Sequence, residues 1–152
     1  KNNDIRGILV GDGKMLNSLR VEIKNRGLDK FITLVGEKKD VGGWLSIMDV
    51  FLITSESEGL PNVTIEAQSF GIPVFATNAG GIKETFTHGE TGLLSQSIRP
   101  DEIAKLIIKI LEHPGINKMK IRATKNAIKH FSTKNMINET KKMYNAVLHT
   151  MN

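Results

Sequence analysis

The sequence predicts an α/β fold in which a parallel sheet is covered by helices on both faces. Three observations predict it. Short apolar runs of strand length recur through the first two thirds of the chain. Most are continuous rather than alternating, the pattern of strands buried on both faces. Nearly every run is followed by a stretch of helical spacing, and parallel strands need such a crossover. The elements can be read in order. Ile5–Val10 is an apolar strand closed by Gly11-Asp12-Gly13. Residues 14–26 place Met15, Leu16, Leu19 and Ile23 on one helical stripe, and Gly27 ends it. Phe31–Val35 is a β-branched and aromatic strand closed by Gly36. Trp44, Leu45, Ile47 and Met48 suggest a short helix, Val50–Ile53 a strand, and Thr54–Pro61 a polar loop. Asn62–Phe70 reads as a helix capped by Asn62 and terminated by Gly71. Pro73–Ala76 is a strand, Ile82–Phe86 a short helix and Gly92–Leu94 a short strand.

Beyond that point only helices are expected. Pro100 suits a first helical position, and Asp101 and Glu102 complement the dipole of the first turn. Ile103, Leu106, Ile107, Ile110 and Leu111 keep helical spacing up to His113-Pro114. Asn117–His130 is a basic helix, and Ser132 caps a last one carrying Met136, Ile137, Met143, Tyr144, Val147 and Leu148. The whole reads as one doubly wound, Rossmann-like domain over 1–152 with a helical C-terminal tail. In such sheets ligands sit outside the carboxyl ends of the strands, so the informative loops follow Val10, Val35, Ile53 and Ala76.

Composition narrows the function classes. The chain has 152 residues, 39% apolar and 24% charged, with one Trp, one Tyr and no Cys. That excludes a disulfide framework, a thiolate nucleophile and Cys-ligated zinc. No apolar run approaches membrane-spanning length. The polar opening Lys1–Asp4 reads as no signal peptide. The net charge of +5 is uneven: residues 1–98 carry −2 and residues 99–152 carry +7. With aromatics at 5% and no recognition motif, a nucleic-acid partner is not expected. His88, His113, His130 and His149 are scattered, and no two share ligand spacing.

The loop after Ile53 carries the most chemistry. The segment Ser55-Glu56-Ser57-Glu58-Gly59-Leu60-Pro61-Asn62-Val63-Thr64 runs from a strand end into a helix start. The first amides of that helix, at Asn62, Val63 and Thr64, are expected to lack partners within it and to point toward the strand-end crevice. With the positive end of the helix dipole behind them, they form an anion site suited to phosphate or pyrophosphate. Gly59 lets backbone approach a ligand, and Pro61 fixes the entry to the helix. Glu58 precedes the site, and Glu66 lies about one turn into the helix. Carboxylates only accept hydrogen bonds, so each suits vicinal sugar hydroxyls. Spacing alone leaves Glu58 equally readable as a solvated loop acid and Glu66 as a first-turn dipole acid.

These residues resemble the Glu-x7-Glu signature of the retaining glycosyltransferases of family 4, the group 1 glycosyltransferases. Leu9-Val10-Gly11-Asp12-Gly13 resembles the family's strand ending in Val-Gly-Asp-Gly. Gly71-Ile72-Pro73-Val74, Gly80-Gly81-Ile82-x-Glu84, Gly89-x-Thr91-Gly92-Leu93-Leu94 and Phe131-Ser132 resemble its later blocks, in the expected order. The resemblance implies the donor-binding half of a GT-B architecture. It implies that Glu66 binds nucleotide ribose hydroxyls and that Glu58, at the catalytic centre, contacts hydroxyls of the donor sugar. It also implies that Gly59, Leu60, Pro61, Asn62 and Val63 hold the diphosphate through backbone. Gly36 and Lys38 would lie in the loop that grips the base. Gly11 and Gly13 would open the first cleft loop, and Gly80 and Gly81 would line a neighbouring wall.

Departures from the family pattern qualify this. The family's Gly-Arg…Lys segment, one strand and helix before Ile5, is not among these residues, and neither is its N-terminal acceptor domain. Lys83 stands where many members have Pro; Lys14, Lys38 and Lys39 match the missing Arg and Lys by charge but not by position. The resemblance further implies sugar transfer from a nucleotide diphosphate sugar, UDP-linked on family frequency, with no metal and no cofactor. The acceptor would be a glycan or lipid-linked glycan in polysaccharide, capsule or lipopolysaccharide synthesis. The expected place is the cytoplasm, with the +7 region aiding peripheral contact with the inner membrane face. Rivals are a noncatalytic nucleotide-binding module and a nucleotide-sugar epimerase of similar architecture. A glycoside hydrolase fits poorly, because the phosphate-type helix end aims Glu66 at a nucleotide. A dinucleotide oxidoreductase fails at Leu16, where a third Gly is needed, and at the strand ending at Val35, which no acid closes.

Overall fold

The computed structural model describes residues 5–150, with side chains described through Leu148. The element order is β1 (Gly7–Val10), α1 (Leu16–Asn25), β2 (Ile32–Gly36), α2 (Gly42–Leu45), β3 (Phe51–Ile53) and α3 (Asn62–Ser69). It continues with β4 (Val74–Thr77), α4 (Ile82–Thr85), β5 (Gly92–Ser95), α5 (Pro100–Leu111), α6 (Ile116–Phe131) and α7 (Thr133–Thr150). Every strand pairing is parallel, as expected from the continuous apolar runs. The pairings fall into two ladders, β1-β2 and β3-β4-β5. The chain correspondingly divides into two compact units, residues 1–44 and 45–152.

In the first unit Gly7 sits opposite Ile32, and the register shifts between Leu9 and Val10, so that Val10 faces Gly36. Helix α1 packs on β2, yet none of its residues is fully buried. The Arg6 guanidinium lies 5.0 Å over the Phe31 ring, a cation–π contact at the strand entry. The short helix expected over residues 44–48 instead occupies α2, because the Asp40 carboxylate accepts the Gly43 amide at 3.2 Å and starts the turn earlier. The only tryptophan, Trp44, is half-buried there and closes the unit.

In the second unit β4 is the central strand, and all four of its residues are buried. Its alternate side chains face two cores. Val74 and Ala76 pack with Ala79, Ile82 and Phe86 of the α4 region. Phe75 packs with Leu93, Ile110 of α5 and Met119 of α6. Pro100 occupies the first turn of α5, with Arg99 paired to Asp101 at 3.2 Å. The Ser132 hydroxyl accepts the Asn135 amide at 3.3 Å and caps α7, as the sequence predicts. Helix α7 contacts α6 and leaves Met136, Met143, Tyr144, Val147 and Leu148 exposed. Among the described residues no helix is long and apolar enough to cross a membrane.

Candidate functional site

The carboxyl end of β3 leads directly into the Glu58 loop, and three local bonds fix that loop. Thr77, the last residue of β4, donates its hydroxyl to the Ser55 carbonyl at 2.9 Å. The Ser55 hydroxyl donates to Glu58 Oε1 at 2.7 Å. The Gly81 amide donates to the Glu58 carbonyl at 3.1 Å. Glu58 is therefore half-buried and oriented, with one carboxylate oxygen held by Ser55. Sequence reasoning named Glu58 but missed Ser55 and Thr77, which hold it.

Gly80 and Gly81 act through the protein's own backbone. A Cβ on Gly80 would overlap the Glu58 carbonyl oxygen, and one on Gly81 would overlap that of Gly59. Gly80 also adopts φ 53°, a left-handed conformation that suits glycine. The expectation that these two residues line a wall is thereby refined: they form the bed on which residues 58 and 59 rest. Gly59 itself has no such neighbour, and a side chain there would meet open space. Among the described residues nothing requires glycine at that position.

The start of α3 differs from expectation in one respect. Pro61 is the cap, with extended φ −71° and ψ 110°, and Asn62 is the first helical residue rather than the cap. Proline supplies no side-chain acceptor, so the cap residue makes no side-chain bond to the first turn. The Thr64 amide, expected to be free, donates to the Pro61 carbonyl at 3.2 Å in a tighter turn. Among the described residues, the amides of Asn62 and Val63 have no hydrogen-bond partner. Both residues are exposed. Glu66, four residues after Asn62, shares that exposed face. Glu66 makes no ion pair among the described residues. Leu60 is exposed beside the turn and Pro61 is buried. The helix stops as expected: Gly71 follows at φ 73°, and its amide donates to the Gln68 carbonyl at 2.9 Å. A side chain there would press on the Thr124 hydroxyl of α6, 3.2 Å from the added carbon.

The remaining predicted residues belong to the first unit. The Gly11 amide donates to the Gly36 carbonyl at 2.9 Å, so the loops after β1 and β2 adjoin at the carboxyl end of that sheet. Gly13 begins the turn into α1, its carbonyl accepting the Leu16 amide at 3.0 Å. Gly36 has φ 69°, and Lys38 is exposed in the loop that follows. The structure thus gathers Gly11, Gly13 and Gly36 in one unit, and Glu58 to Glu66 with Gly80 and Gly81 in the other.

Chemically, the second-unit site offers two unsatisfied amides at a helix N-terminus, an oriented carboxylate before them and an exposed carboxylate one turn later. That combination has the donors and acceptors to hold an anion flanked by hydroxyl groups. Among the described residues no three His, Asp or Glu side chains are grouped to hold a metal ion.

Known proteins share both sequence and fold with this chain. The Vi polysaccharide biosynthesis protein VipC/TviE of Salmonella typhi is 39% identical over 109 residues, 70% of this chain and 19% of that protein. The N-acetyl-alpha-D-glucosaminyl L-malate synthase of Bacillus anthracis is 28% identical over 146 residues, 95% of this chain and 38% of its own length. HepE of Anabaena, solved in complex with UDP-glucose, superposes with a TM-score of 0.84 at 25% identity, covering 95% of this chain and 42% of that one. A glycosyltransferase from Rickettsia africae superposes with a TM-score of 0.86 at 27% identity, over 97% of this chain and 41% of that one. The chain therefore spans less than half the length of each of these relatives. The family model for glycosyl transferases group 1 matches residues 1–130, which stops short of α7 but includes every residue of the site, and the chain belongs to that family.

Proposed function

We propose that this chain is the nucleotide-sugar donor-binding part of a retaining glycosyltransferase that uses a UDP-sugar. The observation that carries the reading is the pair of unsatisfied amides at Asn62 and Val63, set between Glu58 and Glu66. During transfer, positive charge develops at the anomeric carbon and negative charge on the departing diphosphate. The amides and dipole at the start of α3 meet that negative charge where it grows, which is the form of stabilisation that accelerates a reaction. Glu66 accepts from ribose hydroxyls. Glu58, held by Ser55 through one oxygen, keeps the other for a donor-sugar hydroxyl. The reaction proceeds without a metal, because amides take the role a cation would otherwise fill. A uridine nucleotide is supported by the UDP-glucose complex of HepE. A role in polysaccharide or capsule synthesis is supported by the Vi polysaccharide protein and by the capsular glycosyltransferase CapM of Staphylococcus aureus, 30% identical over 118 residues.

The acceptor, a glycan or lipid-linked glycan, is bound by a further domain of the full-length protein. Contact with the inner membrane face is supported by α6. Its exposed residues Lys118, Arg122, Lys125 and Lys129 share one helix face with exposed Ile121 and Ile128, and the helix has no acid. The test of the donor reading is calorimetry on the full-length protein with UDP, GDP and ADP, with and without EDTA. Saturable UDP binding that survives chelation supports it; binding of none of the three would overturn it. A second reading, a noncatalytic nucleotide-binding module, would use the same two amides and carboxylates without any group transfer. Sugar transfer by the full-length protein would exclude it.

A further inference from the structure

We infer that Thr64, Gln68, Thr85 and Asn126 are positioning residues that hold the amide tip of α3 in its ligand-ready form. This inference rests on the donor-binding reading above. Thr64, Gln68 and Thr85 are fully buried, although Thr64 and Gln68 lie on the helix face with buried Ala67, where apolar residues belong. Their hydrogen bonds form one connected group. The Thr64 hydroxyl lies 2.7 Å from the Pro61 carbonyl and 2.8 Å from the Thr85 hydroxyl, which lies 2.7 Å from the Ile82 carbonyl. Gln68 Nε2 donates to the Thr64 carbonyl at 3.1 Å and to the Thr85 carbonyl at 2.8 Å. Asn126 Nδ2, on α6, donates to Gln68 Oε1 at 2.8 Å and to the Thr85 carbonyl at 3.0 Å. No buried side-chain nitrogen or oxygen among the described residues lacks a partner.

The location of this group gives it a role beyond packing. It ties the last residue of α4 to the first turn of α3. The other end of α4 begins at Gly81, whose amide holds the Glu58 carbonyl. The loop from Glu58 to Pro61 is therefore clamped at both ends by one four-residue helix, and Asn126 braces that helix from α6. The unsatisfied amides of Asn62 and Val63 lie between Pro61 and Thr64, both of which the group holds. A satisfied buried polar group specifies one geometry, and partial loss is costly. If the tip samples other geometries, apparent affinity falls by the fraction that remains competent.

The test measures UDP affinity and urea stability in parallel on the full-length protein. The variants are Asn126→Leu, which is nearly isosteric and removes both donors, Thr64→Val, and Thr64→Ser as the conservative control. Asn126 is half-buried on α6 and lies outside the tip, so its variant reaches the tip only through Gln68 and Thr85, and the urea midpoint reports what stability it loses. We expect Asn126→Leu and Thr64→Val to weaken UDP binding about tenfold at a temperature where both are folded, with Thr64→Ser within about twofold of wild type. UDP affinity unchanged in Asn126→Leu, with only the urea midpoint lowered, overturns the inference and leaves a purely structural group. Should Thr64→Val fail to fold, Asn126→Leu decides alone. Failure of the wild type to bind UDP would instead remove the donor-binding reading, and this inference with it.

Discussion

Glu66 and Gly80 both belong to the second unit and answer to different constraints. Glu66 is exposed on α3 and pairs with no cation among the described residues, so the fold gains little from its carboxylate. Replacing it with Ala should change stability by no more than about 0.5 kcal/mol, as for other surface sites, while weakening UDP binding about tenfold. Calorimetry beside a thermal melt separates the two effects. Gly80 shows the reverse. Gly80→Ala drives a methyl into the Glu58 carbonyl at a positive φ and should cost about 2–4 kcal/mol, read from urea denaturation. Gly59→Ala meets open space in the chain and should leave the urea midpoint in place while reducing nucleotide affinity. Gly80 and Gly59 thus divide between supporting the loop and leaving room above it. The sequence marks both as glycine and cannot distinguish these uses, because the distinction depends on the Glu58 backbone, 22 residues before Gly80.

At the scale of the element, α3 is the instructive case. Its start was legible to within one residue, because Pro61 and the following polar residues punctuate the chain strongly. Asn favours the cap position, but a proline immediately before it already supplies the extended turn, so Asn62 becomes the first helical residue. The consequence is testable. Residue 62 is the first helical position and follows a residue with ψ 110°, which is the setting proline tolerates. Asn62→Pro removes one of the two unsatisfied amides and no hydrogen bond of the fold. It should leave the melting temperature unchanged or raised, and weaken UDP binding several-fold. Loss of folding would contradict the tolerance for proline at this position, and unchanged affinity would contradict the anion role of the turn. The group behind the helix was not legible at all. Thr64, Gln68, Thr85 and Asn126 pair across sequence separations of 17, 21, 41 and 58 residues. Only polar residues recurring at the inward spacing of α3 hint at it, and that hint names no partner.

At the scale of the molecule, the alternation of strands and helices gave the parallel α/β architecture, since burial on both faces leaves a direct mark on composition. It did not give the division into two ladders, because pairing partners are set by contacts the pattern does not encode. The two units differ in depth of burial. Helix α1 has no buried residue, whereas every residue of β4 is buried. Amide hydrogen exchange should therefore be faster over residues 7–36 than over residues 74–77. Equal protection in the two would show that they open together. The placement of Trp44 makes the same chain convenient to follow by light. It is the one tryptophan, and it ends the first unit, while most helical residues lie in the second. Its emission tracks the environment at that junction, whereas far-ultraviolet dichroism tracks the helix-rich remainder, so non-coincident curves in one denaturant titration would expose a stepwise loss of structure without any added label.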